Sequence, residues 1–143
     1  MDAGTLWQAH RLAGHLSRQL APSLPEDIWL LAYENYLILV RGVREDARSI
    51  GSVQVASSDS GMEDLPASAL SALSELQDLV STTTHTGWPG GAGRLMPWAQ
   101  AHGSELQLGY LEPGATWNEP SRKAIQLTPF QLAMEVDQDV TSG

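Results

Sequence analysis

At 143 residues, with 42% apolar and 17% charged side chains, the chain is long enough to bury one self-sufficient core; such a composition excludes intrinsic disorder, and no apolar run approaches the ~20 residues that cross a bilayer. Seventeen acids against eight bases give a formal charge of −9, which repels polyanions, so neither nucleic acid nor membrane is an expected partner. The lack of cysteine excludes disulfides, thiolate nucleophiles and thiolate metal sites, and an acid at position 2, where a signal peptide carries bases, makes the cytoplasm the expected location.

The first element is a helix from Thr5 to Leu20. Leu6, Ala9, Leu12, Ala13, Leu16 and Leu20 recur at helical spacing, Thr5-x-x-Gln8 has the form of a capping box, and Pro22 and Pro25 stop the run. Two apolar runs follow, Ile28 to Tyr33 and Tyr36 to Val40, separated only by Glu34 and Asn35. They predict a β-hairpin with a two-residue turn in which Asn35 tolerates positive φ. In that register Tyr33 faces Tyr36, Leu31 faces Ile38 and Trp29 faces Val40 on one side, while Ile28, Leu30, Ala32, Leu37 and Leu39 lie on the other.

Neither side of the hairpin is polar. Left in water, each of Trp29, Leu31, Tyr33, Tyr36, Ile38 and Val40 would forgo ~1.5–3 kcal/mol of burial. Their sum rivals the ~5–15 kcal/mol net stability of a whole domain. The chain's own helices are expected to cover one face and a partner, either another protein or a second copy, the other.

A turn over Gly42–Ala47 leads to a third strand, Arg48 to Ala56, where Gly51, Val53 and Val55 alternate with Ser52 and Gln54; its wet face places it at a sheet edge, open to another strand. After a polar loop at 57–61, Glu63, Asp64 and Pro66 mark the start of a second helix. Its stripe of Leu65, Ala69, Ala72, Leu73, Leu76, Leu79 and Val80 runs to about Thr83. From Trp88 to Gly103, Gly, Pro and aromatic residues without a period predict a long loop. Strands are expected at Glu105–Leu111 and Ala124–Leu127. A short third helix carrying Phe130, Ala133 and Met134 should begin at the capping box Thr128-Pro129-Phe130-Gln131, and 137–143 should be a tail.

The expected architecture is one α+β domain, α-β-β-β-α-β-β-α, with a twisted, mainly antiparallel five-stranded sheet backed by helices. By that element order, its size and its acidity, the chain resembles the type III secretion chaperones over residues 5 to 136. The resemblance implies a homodimer that holds an extended segment of a client protein against apolar surface.

No constellation in the sequence specifies chemistry, and no catalytic residue, metal or cofactor is expected. The doublets Glu26-Asp27, Glu45-Asp46 and Glu63-Asp64 fall at element boundaries, where acids form solvated turns. Asp137-Gln138-Asp139 lacks the remainder of a calcium loop. The Gly90–Gly93 run follows a helix instead of opening one, so no helix dipole assists an anion there. His10 and His15 read as exposed helix positions, with no pair at i, i+4 to share a metal.

His85, Trp88, Trp98 and His102 around the aromatic loop form the one candidate ligand site, although the favoured reading of Trp88 and Trp98 is that they pin the loop onto the core. The leading expectation is a non-enzymatic, chaperone-like or adaptor-like binding protein. An acidic inhibitor or immunity-type protein that neutralises a basic partner, and an enzyme or small-ligand binder with its site in the 85–102 loop, are the alternatives.

Overall fold

The computed structural model describes residues 3–42, 44–56, 64–85, 87–89, 95–120 and 123–132. Helix α1 spans Ala3–Leu20, and Leu12, Leu16 and Leu20 are fully buried along its inner face. The helix begins two residues upstream of the expected capping box, so Thr5 and Gln8 lie inside it as buried polar residues instead of capping it. Leu6, expected on the inner stripe, is 39% exposed. A 3₁₀ turn at Ala21–Ser23, with Pro22 in its first positions, ends the helical segment.

Strands β1 (Ile28–Tyr33), β2 (Tyr36–Arg41) and β3 (Arg48–Gln54) form an antiparallel sheet in the order β1-β2-β3. The hairpin register pairs Trp29 with Val40, Leu31 with Ile38 and Tyr33 with Tyr36. Its two-residue turn carries positive φ at Glu34, φ 54°, and not at Asn35 as expected. Asn35 is instead buried: its Nδ2 donates to the Ala56 carbonyl at 2.7 Å, and its own carbonyl accepts from Val55 N at 2.7 Å. The turn is thus anchored to the end of β3, and the amide side chain matters more there than the backbone freedom of Asn. Between β2 and β3 the register shifts at Leu39/Val40, leaving Ile50 as the extra residue of a bulge.

Helix α2 spans Leu65–Thr84, with Pro66 in its first turn and Leu65, Ala69, Ala72, Leu73, Leu76 and Val80 buried. Its C-cap, His85, takes the left-handed conformation, φ 60°, that commonly ends a helix. A second antiparallel sheet follows, built from β4 (Met96–His102), β5 (Glu105–Leu111), β6 (Ile125–Gln126) and β7 (Phe130–Gln131).

The second sheet corrects three expectations. The single five-stranded sheet is two sheets of three and four strands. The loop foreseen from Trp88 to Gly103 contains β4, whose Pro97 and Trp98 pair with Tyr110 and Gly109 of β5; the tight Gly103-Ser104 turn makes a hairpin that the lack of periodicity concealed. The third helix does not begin at the second capping box, because Phe130 and Gln131 form β7 along β5. The remainder of that helix and the 137–143 tail lie outside the described residues, as do the loop at 57–61, Glu63 and the Gly90–Gly93 run.

Segments β6 and β7 share one edge of β5, with Leu127 N donating to Leu108 O at 3.0 Å and Leu132 N to Ser104 O at 2.9 Å. They amount to one strand interrupted at Thr128-Pro129, where proline has no N–H to give. At the break the backbone turns to α1: Thr128 N donates to Gln19 Oε1 at 3.1 Å, and His15 Nε2 contacts Thr128 O at 2.6 Å. A single buried cluster joins both helices and both sheets, with Leu39, Val53, Leu76, Leu106 and Tyr110 among its members.

Candidate functional site

The back of the first hairpin lies in the core. Ile28, Leu30, Leu37 and Leu39 are at most 6% exposed beneath α1. Among the described residues the front has no such cover. Trp29, Leu31 and Tyr33 are 51%, 52% and 61% exposed, Tyr36 is also exposed, and only Ile38 and Val40 are half-buried. The alternation of the strand therefore sends four large side chains outward together.

The limits of this surface follow from the register. On the β3 side Ile38 pairs with Ser52 and Tyr36 with Gln54, both exposed, so a polar border runs along the patch. On the opposite side lies the free edge of β1. In the hairpin ladder Leu30 directs its backbone outward from that edge, and Ser17 Oγ from α1 donates to the Leu30 carbonyl at 2.8 Å. An added strand would compete with that bond, so the exposed side chains, and not the β1 edge, are the part of the hairpin suited to a partner.

The largest ring of the patch is held in place. Trp29 Nε1 donates to Gly42 O, across the hairpin, at 2.8 Å. Its indole therefore offers an apolar face while its one polar atom is already satisfied, the property of an interface anchor that loses little entropy on binding. Below it, Arg41 Nε donates to Asp27 Oδ2 at 3.0 Å and Arg41 Nη1 to Thr83 O at 3.2 Å. The hydrogen bond from Arg41 holds the Asp27 carboxyl below its ordinary range. Arg41 is thus committed within the fold, and so is one acid of the Glu26-Asp27 doublet.

The four residues of the aromatic loop do not converge on a site. Trp88 is 6% exposed; its indole donates to Ser23 O at 2.7 Å and packs edge-on against Tyr110 with ring centroids 5.4 Å apart. That ring seals the core. Trp98 sits half-buried on β4, with its Nε1 buried and unbonded among the described residues. His85 is exposed at the end of α2 and His102 is exposed at the end of β4. Among the described residues no hydrogen bond or ring contact joins any two of the four, and no group of three or more His, Asp or Glu could hold a metal ion.

Sequence reasoning assigned no role to the basic residues of α1. His10, Arg11, His15 and Arg18 border a groove against Phe130 and Gln131. Their spacing along one helix was available as a signal, but the opposing wall exists only because β7 replaces the expected third helix. Among the described residues no helix is long and apolar enough to cross a membrane. The chain matches no family model, no curated protein and no solved structure.

Proposed function

We propose that this chain is a non-enzymatic protein-binding protein, chaperone-like or adaptor-like, that associates with a second copy of itself or another protein through the outward face of its first hairpin. The supporting observation is the joint exposure of Trp29, Leu31, Tyr33 and Tyr36 on one rigid sheet face whose reverse is core. Roughly half of each large side chain is accessible, so the four together offer on the order of 400 Å² of mostly apolar surface. That is within the range of the largest patch on a monomer, where such patches are commonly functional, and is about half the ~800 Å² that each side of a stable protein–protein interface buries. It can serve as the apolar centre of an interface, with Ser52 and Gln54 in the polar rim.

The test pairs sedimentation velocity with suppression of aggregation of a reduced, unfolded model client. The wild type should sediment as a dimer or hold the client in solution. The double variant Leu31→Ser/Tyr33→Ser, substituted at exposed positions and checked for fold by circular dichroism, should lose both properties. A wild type that stays monomeric at tens of micromolar and leaves client aggregation unchanged would exclude the reading.

A further inference from the structure

On a chain with two acids for every base, the groove between α1 and the 128–131 segment has an unexpected lining. It holds about 330 Å³, at the small end of ligand sites, and His10, Arg11, His15 and Arg18 border it with no acid among the lining residues. Among the described residues neither Arg11 nor Arg18 forms an ion pair.

Three local features build the groove. Gly14 leaves the helix surface bare between His10 and Arg18, one turn to either side, and the Arg18 guanidinium lies across it; a Cβ placed on Gly14 would come within 3.2 Å of Arg18 Nη1. Arg11 is held flat, its guanidinium 5.1 Å from the Trp7 ring centroid and 5.0 Å from that of Phe130, while Nη1 donates to Gln8 Oε1 at 2.7 Å and to Gln131 O at 3.3 Å. Both bonds leave from one nitrogen. His15 stands between the two arginines, its Nε2 proton donated to the Thr128 carbonyl, which can only accept, and its ring edge-on to Phe130 at 5.4 Å.

We propose that this groove is a binding site for a small oxyanion-bearing ligand of the phosphate class, with Arg18 and Arg11 as its main donors, His10 and His15 at its sides and Phe130 as an apolar wall. Two guanidiniums on one concave space provide the several charged N–H donors that a tetrahedral dianion accepts, more than one carboxylate needs, with the two imidazole rings beside them. The Phe130 wall suits a ligand whose phosphate is carried on an apolar or aromatic group. This site is separate from the hairpin face and does not depend on the reading given above.

His15 provides an internal reporter. Burial lowers its pKa, and the charges of Arg18 and Arg11 lower it further, against the opposing effect of the Thr128 hydrogen bond. An anion seated between the arginines would offset their repulsion and raise the pH at which His15 titrates. Among the described residues the charged or titratable groups facing it are His10, Arg11 and Arg18 on its own helix; the opposing 128–131 segment contributes none, and Glu105 of β5 reaches that side through its bond from Gln131 Nε2 at 3.0 Å.

The experiment is a nuclear magnetic resonance titration of the histidine ring and backbone amide signals with inorganic phosphate, phenyl phosphate, acetate and chloride at matched ionic strength. Phosphate should produce saturable shifts confined to 10–18 and 128–131 and an upward move of the His15 titration, with phenyl phosphate binding more tightly than phosphate. Arg18→Gln, at an exposed position, should weaken phosphate binding about tenfold or more. His10→Gln gives a second, independent loss. Equal shifts with chloride, or an Arg18→Gln titration superimposable on the wild type, would overturn the site; acetate binding as tightly as phosphate would overturn its phosphate class.

Discussion

Tyr110 shows how much one residue can hold. It is fully buried, its hydroxyl donates to the Leu73 carbonyl of α2 at 2.7 Å, and its ring meets Trp88. Burial pushes the phenol far above its ordinary range, and the charge of Asp78 acts in the same direction. Tyr110→Phe removes one hydrogen bond and keeps the ring, so chemical denaturation should show a loss of about 1 kcal/mol. Next to it, a Cβ on Gly109 would collide with the Ile125 backbone carbonyl of the paired strand. Gly109→Ala should therefore cost more, about 1–3 kcal/mol by overpacking against a backbone atom that cannot swing aside.

His15 links the fold to pH. Its folded pKa lies below the ordinary 6.5, so between those two values the unfolded chain binds more protons than the folded one. The stability contributed by neutral His15 is present above pH 6.5 and is lost as the pH falls towards the folded pKa. Denaturation curves of the wild type should weaken over that interval, and His15→Gln should flatten the dependence. An unchanged slope in the variant would contradict the assignment.

Where one kind of information determined an element, the sequence revealed it. The first hairpin needed only its apolar runs and the two residues between them, and α2 only its stripe and Pro66. Elements decided by tertiary pairing were hidden. Strand β4, with Pro97 and Trp98 near its start, has no period of its own and becomes a strand because β5 pairs with it. Thr128-Pro129-Phe130-Gln131 carries a valid helix-start pattern, but Phe130 gains more by burial beneath α1 and β5 than a capping box gains locally, so tertiary packing overrides propensity. The turn of the first hairpin shows the same contest on a small scale. Asn35→Ala would leave the Ala56 carbonyl buried without its side-chain donor and should cost about 1–3 kcal/mol, measurable by thermal or urea unfolding.

The exposed hairpin face follows from how the whole molecule distributes its cover. Helix α1 covers the back of β1 and β2, α2 packs against β3, β4 and β5, and among the described residues the first sheet has no second helix layer for its front. Sequence alone indicated that the hairpin is apolar on both sides; which side the helices take is decided by the register, which points Ile28, Leu30, Leu37 and Leu39 inward. The groove on α1 was not legible, because its second wall comes from the strand that replaced the expected helix.

Charge acts at this scale too. Two copies carrying −9 each repel at low ionic strength, so an assembly held by apolar contact should tighten as salt screens that repulsion, whereas an assembly held by carboxylates on a basic partner should weaken. Sedimentation at low and high salt separates the two.

Oxidative footprinting of Trp29, Leu31 and Tyr33, read by mass spectrometry in dilute protein, in concentrated protein and with an unfolded client, addresses the hairpin face itself. Protection of these three side chains on concentration or on client binding, with Trp7 and Met96 unprotected as exposed controls, is the predicted result. Full reactivity of all three under every condition would contradict an association role for the face.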